Sequence, residues 1–218
     1  MSARVSAVVF DLGGVLTDSP MTAFAAYEAE AGLPEGLIRR LNSTDPDANA
    51  WARYERGELD TAGFCDAFEA EALAAGHRLD ARRVLAALAG ELRPQMLAAV
   101  AALREAGLPL ALLSNNTAPM ERTGRLGELL GQFDAVVESS VEGVRKPEPE
   151  IYRRALARLS EAVGREITAA HCAYLDDLGI NLKPARALGF STIKVVEPGA
   201  ALAELSELVG VRLADGPR

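Results

Sequence analysis

The sequence predicts an α/β protein built on a parallel sheet, and three observations support this fold class. Short apolar runs alternate with longer segments of helical periodicity, as expected where helices connect successive strands. The runs are apolar throughout instead of alternating with polar residues, which is typical of strands covered on both faces. Hydrophobic residues make up 49% of the 218 positions, so the chain can bury a core of this kind.

Five apolar runs are predicted to form the strands, and each is followed by a polar residue. These runs cover residues 5–10, 109–113, 134–138, 172–175 and 191–196. The predicted helices of this part of the chain cover residues 94–106, a stretch after Pro147, residues 185–188 and residues 200–209. Pro184 is expected in the first turn of its helix, where backbone N–H groups have no partner within the helix anyway.

The stretch between residues 20 and 92 has a helical pattern and contains no convincing strand. It is therefore predicted to be a bundle of helices inserted after the first strand. The predicted architecture is a Rossmann-like core of three α/β/α layers with this bundle as an α-helical cap. The core is assigned to residues 1–18 and 93–218, and the cap to residues 19–92.

The acidic composition restricts the classes of partner. With a net charge of −8, the surface repels nucleic acid and anionic lipid, and neither is expected as a partner. A small-molecule phosphate ester is not excluded, because a metal ion and a few cations reverse the field locally. The sequence shows neither a signal-peptide pattern nor an apolar run near the roughly 18 residues of a membrane span, so a cytoplasmic protein is expected. It is expected to be a monomer or a homodimer.

Polar side chains follow three of the predicted strands. Asp11 follows the first, Ser114 the second, and the adjacent Asp176 and Asp177 the fourth. Because the carboxyl ends of parallel strands meet at one edge of a sheet, these side chains should converge on one crevice. A carboxylate can attack phosphorus as a nucleophile, and two neighbouring acids suit Mg²⁺. Taken singly, each residue also fits a turn or a helix cap.

Three further residues are candidates for binding a phosphate group. Lys146 lies in the segment GVRKPEPE and is one of only three lysines in the chain. Its charge suits a phosphate, although a solvated loop lysine fits the pattern too. Asn115 offers an amide beside Ser114, and Asn181 falls one helical turn after Asp177, so both are expected to face the same site.

Taken together, four segments of the chain resemble the four motifs of the haloacid dehalogenase (HAD) superfamily. They are FDLGGVL, LLSNNT, RKPEPEIY and YLDDLGINLKPARALG. The last is especially similar to the group that includes the N-terminal phosphatase domain of soluble epoxide hydrolase. The resemblance covers essentially the whole chain, and the helical stretch corresponds to a cap inserted after the first motif.

The resemblance implies a Mg²⁺-dependent hydrolase, most simply a phosphatase of small phosphomonoesters that forms an aspartyl-phosphate. It also implies a role for each matching position. Asp11 corresponds to the nucleophile, which is also a metal ligand, and the carbonyl of Gly13 corresponds to a second metal ligand. Ser114 and Asn115 correspond to the phosphate-binding residues, and Lys146 to the cation that neutralises the nucleophile and the phosphate. Asp176 and Asp177 correspond to the acidic pair of the metal site, in which Asp177 is the direct ligand.

The chain departs from the family pattern at Gly13, where the family usually has a second Asp. That Asp acts as general acid for the leaving alkoxide and then as base for water, and Gly13 cannot carry a proton. Asp18, Arg53 and Glu55 are candidate substitutes. Two other functions remain open: a 2-haloacid dehalogenase-type carbon–halogen hydrolase, which works without metal, and a non-catalytic phosphate-binding or interaction protein of the same fold.

Overall fold

The computed structural model describes residues 5–213 and contains one sheet of five parallel strands. The strands are β1 (Ala7–Phe10), β2 (Leu110–Ser114), β3 (Ala135–Glu138), β4 (Cys172–Asp176) and β5 (Ser191–Lys194). Their order across the sheet is β3-β2-β1-β4-β5, and every neighbouring pair is parallel. The predicted α/β class with a parallel sheet is therefore confirmed.

Helices connect the strands and cover both faces of the sheet. They are α1 (Pro20–Glu30), α2 (Leu37–Ser43), α3 (Ala50–Glu55), α4 (Thr61–Ala74), α5 (Ala81–Ala86), α6 (Pro94–Glu105), α7 (Gly124–Leu130), α8 (Ser139–Glu142), α9 (Pro149–Val163), α10 (Gly179–Ala187) and α11 (Pro198–Val209). None of the helices in the described part of the chain is long and apolar enough to cross a lipid bilayer.

The burial of both sheet faces explains why the strands are apolar at successive positions. In β1, Val8 and Phe10 belong to a core that includes residues of α6, α7 and α11. Ala7 and Val9 point the other way, into a core shared with α9 and α10. The central position of β1 places the end of this strand between the ends of β2 and β4.

Helices α1 to α5 pack around an apolar core of their own. Trp51 lies at its centre, with its ring 5.0 Å from that of Phe64 and 5.8 Å from that of Phe68, measured between centroids. The chain enters and leaves this group of helices through adjacent segments, because an isolated β-bridge pairs Thr17 with Leu92. Apart from that bridge, the described residues between β1 and β2 contain no strand, as predicted.

The prediction for Pro184 is wrong, because α10 begins at Gly179 and Pro184 lies in its interior. A proline there removes one backbone hydrogen bond of the helix and costs about 3 kcal/mol. The helix nevertheless starts directly after the acidic pair, where Leu178 N donates to Asp176 Oδ1 at 2.8 Å. It also buries Leu182 and Ala185 against the sheet, and this packing outweighs the local preference of proline.

Candidate active site

The ends of β1, β2 and β4 bring the predicted polar residues together. Asp11 follows the central strand, and its backbone N–H donates to the carbonyl of Leu175 at 2.9 Å, which places it beside the end of β4. One carboxylate oxygen from each of Asp11, Asp176 and Asp177 lies within 4.8 Å of the others. Three negative charges at this spacing repel one another strongly unless cations compensate them.

Lys146 supplies one compensating charge. Its Nζ is 2.7 Å from Asp11 Oδ1 and 3.0 Å from Asp176 Oδ2, and its side chain is only 2% exposed. Burial alone would lower the pKa of Lys146, but the neighbouring Asp11 and Asp176 carboxylates raise it above its usual value. Lys146 is therefore a fixed ammonium group in this site and not a general base.

Asp11 is held from one side only. Its Oδ1 accepts a hydrogen bond from Leu12 N, at 2.7 Å, and contacts the Lys146 ammonium. No described residue donates a hydrogen bond to its other oxygen, Oδ2. This arrangement orients the carboxylate and leaves Oδ2 free of protein donors in the described part of the chain.

The two carboxylates of the acidic pair have different surroundings. Asp176 is fully buried, and its oxygens accept hydrogen bonds from protein donors on several sides. These donors are Lys146 Nζ, Leu178 N, Asn181 Nδ2 and the hydroxyl of Tyr174. Because these described residues already donate to both carboxylate oxygens, Asp176 has little capacity left to bind a metal ion.

Asp177 is only partly buried, and no other described residue donates a hydrogen bond to its side chain. Burial and the adjacent Asp176 charge raise the pKa of Asp177 to about 6. An unpartnered carboxylate held next to two others is suited to binding a divalent cation, which would relieve their repulsion.

The two glycines after Asp11 have opposite steric requirements. Gly14 has φ +75°, and a Cβ at this position would lie 2.3 Å from Asp177 Oδ2, so the backbone can approach the carboxylate only because Gly14 has no side chain. Gly13 has φ −70° and ψ 127°, which any residue can adopt, and apart from its chain neighbours no described residue has an atom within 4 Å of a Cβ built there. The space beside Gly13, where the family usually has the side chain of its second Asp, can therefore accept a side chain.

Ser114 ends β2 and Asn115 follows it, and their side chains have different partners. The buried Ser114 hydroxyl makes one long hydrogen bond, 3.3 Å, to the carbonyl of Asn115. The amide of Asn115 accepts from Lys146 N at 2.8 Å and donates to Lys146 O and to Glu55 Oε2, each at 3.0 Å. In this arrangement the Ser114 hydroxyl is the freer side-chain donor for a phosphate oxygen.

Asn181 lies against the acidic pair but supports Asp176. Its Nδ2 is 3.1 Å from both oxygens of that carboxylate, and its backbone carbonyl accepts from the Tyr152 hydroxyl at 2.8 Å. The contacts of Tyr152 and Tyr174 were not predicted from the sequence. The available signal for Tyr174 is its position two residues before Asp176 in β4, because alternate strand residues point to the same face.

The candidate substitutes for the missing acid lie in different environments. Asp18 pairs with Arg93 at 3.3 Å, and its side chain is 63% exposed. Arg53 is 3.8 Å from Glu58 at the surface. Of the three, Glu55 alone contacts a predicted site residue through a hydrogen bond, because its carboxylate accepts from Asn115.

Removing the Tyr174 hydroxyl should weaken the support of Asp176. We expect Tyr174→Phe to lower the free energy of unfolding by about 2 kcal/mol, since a buried hydrogen bond to a charged acceptor is lost. The matched control is Tyr152→Phe, which loses a bond to a neutral carbonyl and should cost about 1 kcal/mol. Urea unfolding of the two variants measures both values, and an equal or reversed order would contradict the assigned role of Tyr174.

Residues 5–189 match the family model of haloacid dehalogenase-like hydrolases. The match covers most of the chain, and the protein therefore belongs to this family. The resemblance seen in the four motifs is thereby confirmed, and the class of enzyme is a HAD-like hydrolase.

The chain is also similar to several characterised relatives. It is 36% identical to acyl-CoA dehydrogenase family member 10 of Mus musculus over 95% of this chain and 19% of that protein. It is 31% identical to bifunctional epoxide hydrolase 2 of Sus scrofa over 97% of this chain and 40% of that protein. The chain thus spans less than half the length of these two relatives. It is 26% identical to the sesquiterpene phosphatase astK of Aspergillus oryzae, over 96% of this chain and the full length of that protein.

Solved structures share the fold. A HAD-like family hydrolase from Porphyromonas gingivalis superimposes with a TM-score of 0.64 at 23% identity, covering 95% of this chain and 98% of that one. The L-2-haloacid dehalogenase from Xanthobacter autotrophicus superimposes with a TM-score of 0.57 at 26% identity, covering 96% and 84% of the two chains. These similarities show the fold and leave the reaction open, so the reaction has to be argued from the side chains of the site.

Proposed function

We propose that this protein is a Mg²⁺-dependent phosphatase that hydrolyses small phosphomonoesters through an aspartyl-phosphate on Asp11. One observation carries the proposal: a buried carboxylate, held by the Lys146 ammonium, lies beside a second carboxylate, Asp177, that has no partner among the other described residues. This pairing provides a nucleophile and a place for a divalent cation at the same sheet edge. A relative of similar length is named as a phosphatase, which is consistent with the proposal.

The donor set fits a magnesium ion. Asp11 and Asp177 each offer a carboxylate oxygen, the backbone carbonyl of Gly13 would be a further oxygen ligand, and water completes the shell that Mg²⁺ prefers. Asp176 would support the site through its contact with Lys146. A bound ion would supply the positive charge that neutralises the phosphate oxygens and the clustered carboxylates.

The residues of this chain would perform two displacements at phosphorus. A carboxylate oxygen of Asp11 forms a bond to phosphorus while the ester P–O bond breaks and its electrons leave with the alkoxide. The alkoxide takes a proton from solvent and leaves as the alcohol. Water then attacks the same phosphorus and breaks its bond to Asp11, which releases inorganic phosphate, regenerates the Asp11 carboxylate and returns the proton lost by the water to solvent. Throughout, Lys146 keeps the nucleophile oriented and stabilises negative charge, and the Ser114 hydroxyl can donate to a phosphate oxygen.

We assign the helices between residues 19 and 92 as a cap over the strand ends. Ion pairs connect this part of the chain to the rest, among them Glu55 with Arg145, at 2.6 Å, and Arg56 with Glu148, at 3.6 Å. A closed cap would exclude bulk water from the phosphoenzyme and would restrict the site to small molecules. The net charge of −8 also argues against nucleic acid as a substrate.

The function is tested by phosphate release from a broad panel of phosphomonoesters, with added Mg²⁺ and with chelator. We expect phosphate release with added Mg²⁺ and none with chelator. Halide release from 2-haloacids in chelator would indicate the dehalogenase instead, because carbon–halogen hydrolysis by that route needs no metal. Binding of inorganic phosphate without turnover of any ester would indicate the non-catalytic function.

The affinity for Mg²⁺ should depend on pH near the pKa of Asp177. This pKa is raised to about 6, so protons compete with the metal below that value, and the carboxylate is largely ionised above it. We expect the dissociation constant, measured by titration calorimetry, to rise at least about tenfold from pH 7 to pH 5. Asp177→Asn is the control and should bind Mg²⁺ weakly at both values. A pH-independent affinity in the unmodified protein would show that Asp177 is not a ligand.

A further inference from the structure

Glu55 has a largely shielded carboxylate that connects the cap to the candidate active site. It is the last residue of α3, and its Oε2 accepts from Arg145 Nε at 2.6 Å and from Asn115 Nδ2 at 3.0 Å. The side chains of Glu55 and Arg145 are only 14% and 12% exposed. Arg145 makes a second contact with the cap, because its Nη1 donates to the carbonyl of Pro46 at 2.9 Å. The contact is therefore reciprocal between cap and core.

Asn115 connects this ion pair to the backbone of Lys146. Its amide oxygen accepts from Lys146 N at 2.8 Å, and one amide hydrogen is donated to Lys146 O at 3.0 Å. The second amide hydrogen is donated to Glu55 Oε2. An asparagine amide has two N–H donors, so both are in use, and the orientation of the amide depends on Glu55.

The hydrogen-bonded chain ends at the nucleophile. The Lys146 ammonium, fixed at its backbone by Asn115, is 2.7 Å from Asp11 Oδ1. A small displacement of the Lys146 backbone would change this contact, and catalysis is sensitive to displacements of about 1 Å. The neighbouring charged residue Glu58 has no such connection, because it pairs with Arg56 at 2.6 Å and its side chain is 46% exposed.

An ion pair that is largely shielded from water also favours one arrangement of the cap. The two charges are stable away from water only when they meet in good geometry, so the pair exists only when α3 rests on the loop that contains Arg145. Opening of the cap would separate Glu55 from Asn115 and free the Asn115 amide to turn. The position of the cap and the position of the catalytic lysine are thus coupled through one side chain.

We propose that Glu55 is a positioning residue through which the closed cap holds the Asn115 amide, and with it Lys146, in the geometry that orients Asp11. This inference rests on the phosphatase function proposed above. It assigns to the cap a role in assembling the site, in addition to covering it. It also explains why the Asn115 amide is engaged by protein groups in the closed arrangement.

The test compares Glu55→Gln with the matched control Glu58→Gln, which makes the same chemical change three residues further along. Steady-state kinetics with Mg²⁺ and the best ester of the panel should show a kcat lower by about 10- to 100-fold for Glu55→Gln, with little change in KM. The Glu58→Gln variant should keep both constants. An effect on KM alone would overturn the proposal, because Glu55 would then hold substrate or cap and not Lys146.

Hydrogen exchange followed by mass spectrometry gives a readout that does not require activity. The Lys146 N–H, which donates to Asn115, should exchange at least about fivefold faster in Glu55→Gln and at the unmodified rate in Glu58→Gln. Unchanged exchange overturns the proposal even if kcat falls, and faster exchange with an unchanged kcat overturns it as well. If no ester is turned over by the unmodified protein, the phosphatase function fails and the exchange rates alone decide the role of Glu55.

A second variant covers the case in which Glu55→Gln does not fold. Arg145→Lys keeps the positive charge but replaces the two guanidinium nitrogens that donate to Glu55 and to the carbonyl of Pro46 with a single ammonium nitrogen. It should show the same loss of kcat and the same faster exchange at Lys146. Values equal to those of the unmodified protein in both measurements would overturn the proposal.

Discussion

Asp11→Asn should abolish phosphate release, with a loss in kcat of about 10⁴-fold or more. The amide has no anionic oxygen to attack phosphorus, and it also binds a metal ion more weakly than a carboxylate does. The fold should survive, because Asn has nearly the same shape and its side-chain oxygen can still accept from Leu12 N. Steady-state rates with Mg²⁺, together with a cooperative thermal unfolding transition, measure the two parts of this expectation.

The matched control for the nucleophile is Asp66→Asn, because Asp66 is an exposed residue of α4 in the cap. The same chemical change at that position should leave kcat and KM unaltered. If Asp11→Asn keeps full activity, Asp11 is not the nucleophile. If both variants lose activity to the same degree, the loss does not report on the role of Asp11.

Gly13→Asp should raise the rate on alkyl phosphates, whose leaving groups need a proton. The backbone at Gly13 accepts a side chain without strain, and apart from its chain neighbours no described residue has an atom within 4 Å of a Cβ built there. A new carboxylic acid there can protonate the alkoxide and later activate water. We expect a gain of roughly 10- to 100-fold in kcat/KM, towards the lower end of what general acid–base catalysis supplies.

Two comparisons separate proton transfer from other effects of the new side chain. Gly13→Asn has the same size without a transferable proton, and it should bring no gain. Aryl phosphates have stable leaving groups, so their kcat/KM should rise much less than that of alkyl phosphates in Gly13→Asp. An unchanged or lower rate in Gly13→Asp would show that the site has adapted to glycine or uses another acid.

The sheet could be predicted from the sequence because its signals are local. Strands β1 to β4 are largely apolar runs with a polar residue at or directly after their ends, and burial of both faces requires apolar residues in the central strands. Asp11, Asp176 and Asp177 lie close together in the structure, since parallel strands share one carboxyl edge. Pro184 was placed wrongly because packing of α10 on the sheet overrides the local preference of proline.

The orientation of side chains within the site could not be predicted, because it depends on contacts between distant parts of the chain. The Asn115 amide points to Lys146 and Glu55, and Glu55 lies 60 positions away in the sequence. Glu55 was considered only as a substitute acid, and its contact with Asn115 was not predicted from the sequence, whereas the nearby Glu58 is exposed. The different surroundings of Asp176 and Asp177 likewise arise from Lys146 and Asn181, which come from separate elements.

Asp11 should become phosphorylated during turnover, and rapid acid quenching detects this phosphoenzyme directly. Because Gly13 provides no base for the attacking water, the second displacement should be slow and the aspartyl-phosphate should accumulate. With an aryl phosphate and Mg²⁺, we expect a burst of the aryl alcohol and a phosphoryl group on the Asp11 peptide in mass spectrometry. Steady release of phosphate with no burst and an unmodified Asp11 would contradict the account.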